Sequence, residues 1–111
     1  MSVRTITLTD AAPVRIDEDN WPIIAQASGP GVDELQTIQN NLIVRQHEDG
    51  RVIVSAVRQN GEQYSRAGCI PTDAYGAEDL PPHIHRVASD AGMPVDIARR
   101  CIADLPPVDL G

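Results

Sequence analysis

His83 and His85 flank Ile84, and two imidazoles at that spacing would share a zinc ion in a strand, where both rings point the same way. The apolar residues around them recur at helical spacing instead, and on a helix side chains two apart diverge by about 200°. The pair therefore predicts no metal site, and His47, at a turn, is farther away still. Cys69 and Cys101 lie far apart, each in an apolar run, without C-x-x-C spacing or a histidine partner. Only a thiolate attacks, and an apolar setting keeps a thiol protonated, so both are expected to be core packing. Gly29-Pro30-Gly31 lacks the strand before it and the lysine-bearing helix after it that a phosphate loop requires. These residues predict no catalytic, metal or cofactor site.

Carboxylates are the abundant functional group. They fall at Asp17-Glu18-Asp19, Asp33-Glu34, Glu48-Asp49 and Glu78-Asp79, with Asp73 in the stretch before the last. Turns and helix starts use such residues anyway, so capping is the plain reading of Asp17-Glu18-Asp19. As a surface property they matter more. The net charge is -7, there is no lysine, and positions 41–70 are close to neutral between two acidic flanks. Phosphate backbones and anionic membranes repel such a chain, so direct nucleic-acid or membrane binding is not expected. A basic protein groove that normally holds nucleic acid is the complementary partner. The residues expected to meet it are Asp17, Glu18, Asp19, Glu48, Asp49, Asp73, Glu78 and Asp79.

The elements that must position these groups centre on residues 41–70. Asp49-Gly50 and Asn60-Gly61 separate three runs of strand-forming residues, and each pair suits a two-residue type I′ turn. A three-stranded antiparallel meander follows. Counting from those turns sets Val44 opposite Ser55, Leu42 opposite Val57 and Val57 opposite Tyr64. The face under the helices would then carry Leu42, Val44, Ile53, Val57 and Tyr64. The other face would carry Ile43, Arg45, His47, Val52, Val54, Ala56, Ala67 and Cys69. That is too apolar for solvent, so a first strand, a chain end or a partner should cover it.

Val3 to Thr9 alternates like a half-buried strand that would lie at an edge of the meander, and Val14-Arg15-Ile16 is a short extended run. Acids at 17–19, then Trp21-Pro22 and an apolar run, read as the start of a short helix closed by Gly29-Pro30-Gly31. Leu80, Ile84, Val87, Ala88 and Ala91 make one helical stripe, capped by Gly92. Pro94 opens a second helix whose stripe is Val95, Ala98, Ile102 and Leu105. The expected fold class is α+β: a three- to four-stranded antiparallel meander, a short N-terminal helix, and two C-terminal helices packed on one face. At 111 residues the chain is one domain, long enough to bury about two thirds of its unfolded surface. Its aromatic content of 3% leaves Val, Ile, Leu and Ala to build the core. Free cysteines, no charged-then-apolar leader and no spanning apolar run predict a reduced, cytoplasmic setting.

Thr5-Ile6-Thr7-Leu8-Thr9-Asp10 with Pro13-Val14-Arg15-Ile16 and Trp21-Pro22-Ile23-Ile24-Ala25, Val44-Arg45-Gln46-His47-Glu48-Asp49-Gly50-Arg51, and Ile84-His85-Arg86-Val87 with Cys101-Ile102-Ala103-Asp104-Leu105-Pro106 carry a resemblance. Together they resemble a family of small uncharacterised proteins carried by phages, plasmids and integrative elements of proteobacteria. The resemblance spans nearly the whole chain and departs mainly between Ser28 and Thr37. It implies a mobile-element cargo protein acting by binding a host protein, as an anti-CRISPR inhibitor of a defence complex does. The order helix, three strands, helix also occurs in double-stranded RNA-binding domains, which makes a nucleic-acid-associated regulator the alternative. An enzyme is the third reading.

Overall fold

The computed structural model describes residues 2–6, 13–69 and 79–107. In chain order the elements are β1 (Val3–Ile6), β2 (Val14–Asp17), β3 (Ile23–Gly29), β4 (Ile38–Gln46), β5 (Val52–Asn60), β6 (Gln63–Cys69), α1 (Leu80–Asp90) and α2 (Val95–Ala103). Strands β3-β4-β5-β6 form a four-stranded antiparallel sheet in that order, and β1 pairs with β2 as a separate antiparallel hairpin. The class is α+β, with both helices on one face of the larger sheet.

The N-terminal helix expected around Trp21 is not there; that stretch is β3. The acids at 17–19 build a turn, in which the Asp17 carboxylate accepts the Asp19 N–H at 3.0 Å and the Asp17 carbonyl accepts the Asn20 N–H at 2.9 Å. Between Pro22 and Gly29 the chain has too few residues for a helix to repay its nucleation. Pairing with β4 satisfies its backbone instead, with Ala25 opposite Val44 and Ala27 opposite Leu42. Ala25 and Ala27 are buried while Gln26 and Ser28 are exposed, a period of two. The order helix, three strands, helix therefore fails at its first member.

The first hairpin turn also differs from the expected one. The His47 N–H donates to the Arg51 carbonyl and the Gly50 N–H to the His47 carbonyl, both at 2.9 Å, closing a three-residue loop with Gly50 at φ 96. A type I turn followed by a left-handed glycine is the common three-residue solution. One extra loop residue moves the register by one, to Leu42 opposite Ala56 and Val44 opposite Val54. At the second turn Gly61 (φ 63) and Glu62 occupy the loop, which sets Val57 opposite Arg66 and Gln59 opposite Tyr64. The faces of β5 change sides accordingly. Val52, Val54, Ala56 and Ala67 join Leu42 and Val44 under the helices, whereas Ile53 and Val57 lie on the other face with Ile43 and Arg45. Tyr64 is an exposed side chain, not a core one.

The helices close over that first face. Leu80, Ile84, Val87 and Ala88 of α1 are buried as the stripe required, with prolines confined to its first turn. Gly92 (φ 79) ends it: its N–H reaches the Ser89 carbonyl and the Met93 N–H reaches the Ala88 carbonyl, both at 2.9 Å, the paired bonds of a Schellman cap. In α2 the buried residues are Ile97, Ala98 and Cys101, with Ile102 and Leu105 packed at the margin, and Val95 is exposed. The buried stripe is rotated from the expected one, with Ile97 and Cys101 at its centre and Val95 at the exposed helix start. The expected first strand does not extend the meander. β1 and β2 fold over the opposite face, where Ile6 and Ile16 pack with Trp21 and Ile53. The rest of that expected strand, Thr7, Leu8 and Thr9, lies outside the described residues.

One polar network anchors the connection 30–37. Asn40, fully buried, donates to the Gly29 carbonyl at 3.0 Å and to Glu34 at 2.9 Å, and its own oxygen accepts from Arg58 at 3.0 Å. Arg58 also pairs with Glu34, whose carboxylate accepts the Gly31 N–H at 2.7 Å. A methyl group on Gly31 would sit 2.6 Å from Cγ of Pro94, whose ring cannot bend away. Gly31→Ala should therefore lower unfolding free energy by about 1–3 kcal/mol, read as a shifted urea midpoint at constant slope. The β3 edge is blocked from further pairing. The Asp104 carboxylate accepts the Gln26 N–H at 3.0 Å, and Arg100 approaches the Ser28 and Pro30 carbonyls at 3.4 Å.

Candidate functional site

Pairing of β3 with β4 decides which acids meet. Ile23 lies opposite Arg45, and the Gln46 N–H donates to the Pro22 carbonyl at 3.1 Å. The turn before β3 therefore stands beside the turn after β4, though the two are well separated in sequence. Between them lies an open depression of about 530 Å³, lined by Asp19, Asn20, Pro22 and Ile24 on one side and Gln46, His47, Glu48 and Gly50 on the other. Trp21, between the lining residues Asn20 and Pro22 in sequence, is buried. Its ring centre is 5.2 Å from that of His47, and the Arg51 guanidinium stands 5.1 Å from its centre. The indole thus packs against His47 of one wall.

The acids divide into those that build this end and those that face outward from it. Glu18 is structural: its carboxylate meets Arg4 at 2.6 Å and the buried Arg45 at 3.2 Å. Asp17 caps its own turn. Asp49 accepts the Arg51 backbone N–H at 3.0 Å and the Arg51 side chain at 2.8 Å. That backbone bond first, joined by the Arg51 side-chain bond and charge, outweighs desolvation and holds its carboxyl below the usual carboxylate range. His47 Nδ1 is 3.2 Å from both the Asp49 N–H and the Asp49 carboxylate. Asp19 and Glu48 are exposed and line the depression from its two sides. Asp79 precedes α1 without a side-chain cap bond and lines a separate depression with Pro82, His83 and Arg86. Asp73 and Glu78 lie outside the described residues.

On α1 His83 is buried and His85 exposed, as their divergence requires. His83 Nδ1 lies 3.0 Å from the Arg86 guanidinium. Burial first, then the Arg86 charge, pushes the imidazole below its ordinary 6.5. A folded-state value below the unfolded one means that the unfolded chain takes up the proton more readily. Stability is then full above about pH 6.5 and declines as pH falls below it. His83→Gln should flatten that decline in urea midpoints measured between about pH 7 and 5. Cys101 is fully buried with its Sγ 4.0 Å from the Leu42 carbonyl, and burial, reinforced by Asp104, pushes its thiol up to about 12. It stays a thiol at neutral pH. The Cys69 side chain lies outside the described residues. Among the described residues no three His, Cys, Asp or Glu side chains gather as a metal would need.

Sequence reasoning put Arg45 on the other face of the sheet but missed the cleft that it shares there with Arg4 and Arg66. Arg4, Arg45 and Arg66 come from three strands to one cleft. The signal was a charged residue inside the apolar run 42–46, and the pairing of β1 with β2 that completes the cleft was not readable from it. Comparison with known proteins finds no matching family model, no matching curated protein and no matching solved structure. Among the described residues no helix is long and apolar enough to cross a membrane.

Proposed function

We propose that the protein is a non-enzymatic binding module that presents the depression between Asp19 and Glu48 to a basic protein surface. The observation carrying this reading is the convergence of two acidic turns from distant parts of the chain on one open depression. Asp19 and Glu48 are both exposed at the rim. A carboxylate rim around a mixed polar and apolar floor suits lysine and arginine side chains, whose apolar stems need cover as their heads need charge. The acid-rich composition, with a net charge of -7, favours such a partner and disfavours nucleic acid itself.

The resemblance to cargo proteins of proteobacterial mobile elements supplies the setting. The partner is a cytoplasmic host defence complex, and the protein inhibits it in the anti-CRISPR manner by occupying a groove that otherwise holds nucleic acid. The protonated thiol of Cys101 and the engagement of His83 with Arg86 are consistent with action by binding. The test is equilibrium binding to a purified type I CRISPR effector complex as salt is raised. Affinity should fall steeply with ionic strength, and saturating protein should block target DNA. Binding that is insensitive to salt, or that leaves DNA in place, would overturn the reading.

A further inference from the structure

The β1–β2 hairpin covers only part of the sheet face it packs on. Beside its contact with Ile53, a cleft of about 230 Å³ opens between β1 and strands β4 to β6. It shares no lining residue with the acidic depression. Three guanidinium-bearing residues line it, Arg4 from β1, Arg45 from β4 and Arg66 from β6, over a floor that includes Ile43 and Val57. Arg45 is only 5% exposed, an unusual place for a cation. It donates to the Trp21 carbonyl and to Glu18, both at 3.2 Å. Glu18 serves Arg4 as well, so one carboxylate stands against two of these cations. Among the described residues no buried side-chain nitrogen lacks a hydrogen-bond partner, so what an anion would meet here is the net positive charge of two guanidiniums beside one carboxylate.

We propose that this cleft binds a small organic anion, a carboxylate head on a short apolar body. The planar fork of an arginine matches a carboxylate edge-on through two parallel N–H bonds. Arg45 and Arg4 hold the head, and the body lies on Ile43 and Val57. The volume suits about eight non-hydrogen atoms, taking the space of one water per atom. Asn41 and Ser55 add uncharged polar groups at the wall.

The test is an amide NMR titration of the full chain with benzoate, benzamide and inorganic phosphate. Benzoate should give saturable shifts confined to the amides of residues 41–45, 55–57 and 66, with a dissociation constant of about 1 mM, as its size permits. Benzamide has the same shape without charge and should bind at least about tenfold more weakly. Arg66→Gln, at an exposed position, and Arg4→Gln should each weaken benzoate by about tenfold or more while keeping the folded spectrum; Arg45→Gln is the harsher variant and is secondary. Equal binding of benzamide would reduce the cleft to an apolar hollow, and phosphate binding as well as benzoate would reduce it to a plain anion site. Either outcome, or the absence of saturable shifts up to about 20 mM benzoate, would overturn the proposal.

Discussion

Asp19→Lys together with Glu48→Lys should weaken binding to a basic partner complex by at least about 100-fold, roughly two powers of ten for the pair of reversed charges. Each change replaces an attraction with a repulsion at the same rim, and the two sides of the depression act on the same groove. Both positions are exposed in turns, so unfolding free energy should change by about 1 kcal/mol or less. Asp79→Lys is the informative control, because Asp79 lines a separate depression on α1. Sequence alone groups it with the other acids; the fold separates it, and its reversal should leave binding within about threefold of wild type. The check is a direct binding isotherm of each variant against the purified effector complex. Equal losses from all the reversals would mean that net charge steers association without a defined contact.

Arg58→Ala should lower unfolding free energy by about 2–3 kcal/mol, a large share of what a domain of this size has. It leaves the largely enclosed Glu34 carboxylate without its cation, and it leaves the oxygen of fully buried Asn40 without a donor. Glu34→Ala should cost a similar amount, and the double variant should cost clearly less than the two together, since they share one network. Acid should reproduce the effect. Burial alone would raise the Glu34 carboxyl, but hydrogen bonds from Arg58, Gly31 and Asn40 outweigh it and hold the group below its ordinary 4.5. The contribution is therefore complete above about pH 4.5 and is lost as pH falls through the lowered folded value. Glu34→Gln should remove that part of the acid limb in urea titrations between about pH 6 and 3. An unchanged limb would show that the network does not hold the 30–37 connection to the sheet.

The helix α1 is legible because each signal in its segment agrees: a clean 3.6 period, prolines only in the first turn and a glycine cap. The meander is legible in its strands and not in its register. Asp49-Gly50 fits both a two-residue turn and the last two positions of a three-residue one, and the hydrophobic pattern does not decide, because β5 is apolar on both faces. Covering by helices on one face and by the β1–β2 hairpin on the other makes Val52, Ile53 and Val54 all fully buried. β3 reads as a helix in the sequence because acids followed by Trp-Pro mark helix starts as well as turns, and its two inward residues are only alanines. Pairing with the edge of β4, a tertiary effect, decides it instead.

The same limit governs the surface. Runs of acids announce charge but not direction, and Glu18 is the counter-ion of Arg4 and Arg45 while Glu48 faces outward. Which acids meet depends on Ile23 lying opposite Arg45, a fact of strand order. The arginine cleft depends on strand order too, since Arg4, Arg45 and Arg66 are far apart in sequence and adjacent only in the folded sheet.

A plaque assay tests the central claim most directly, on a bacterium with active type I CRISPR immunity expressing wild type, the Asp19→Lys/Glu48→Lys variant or empty vector. Wild type should restore plaquing by the targeted phage, and the variant, present at equal level and folded, should not. Failure of wild type to restore plaquing would contradict the anti-defence role, and equal restoration by the variant would contradict the acidic depression as its contact.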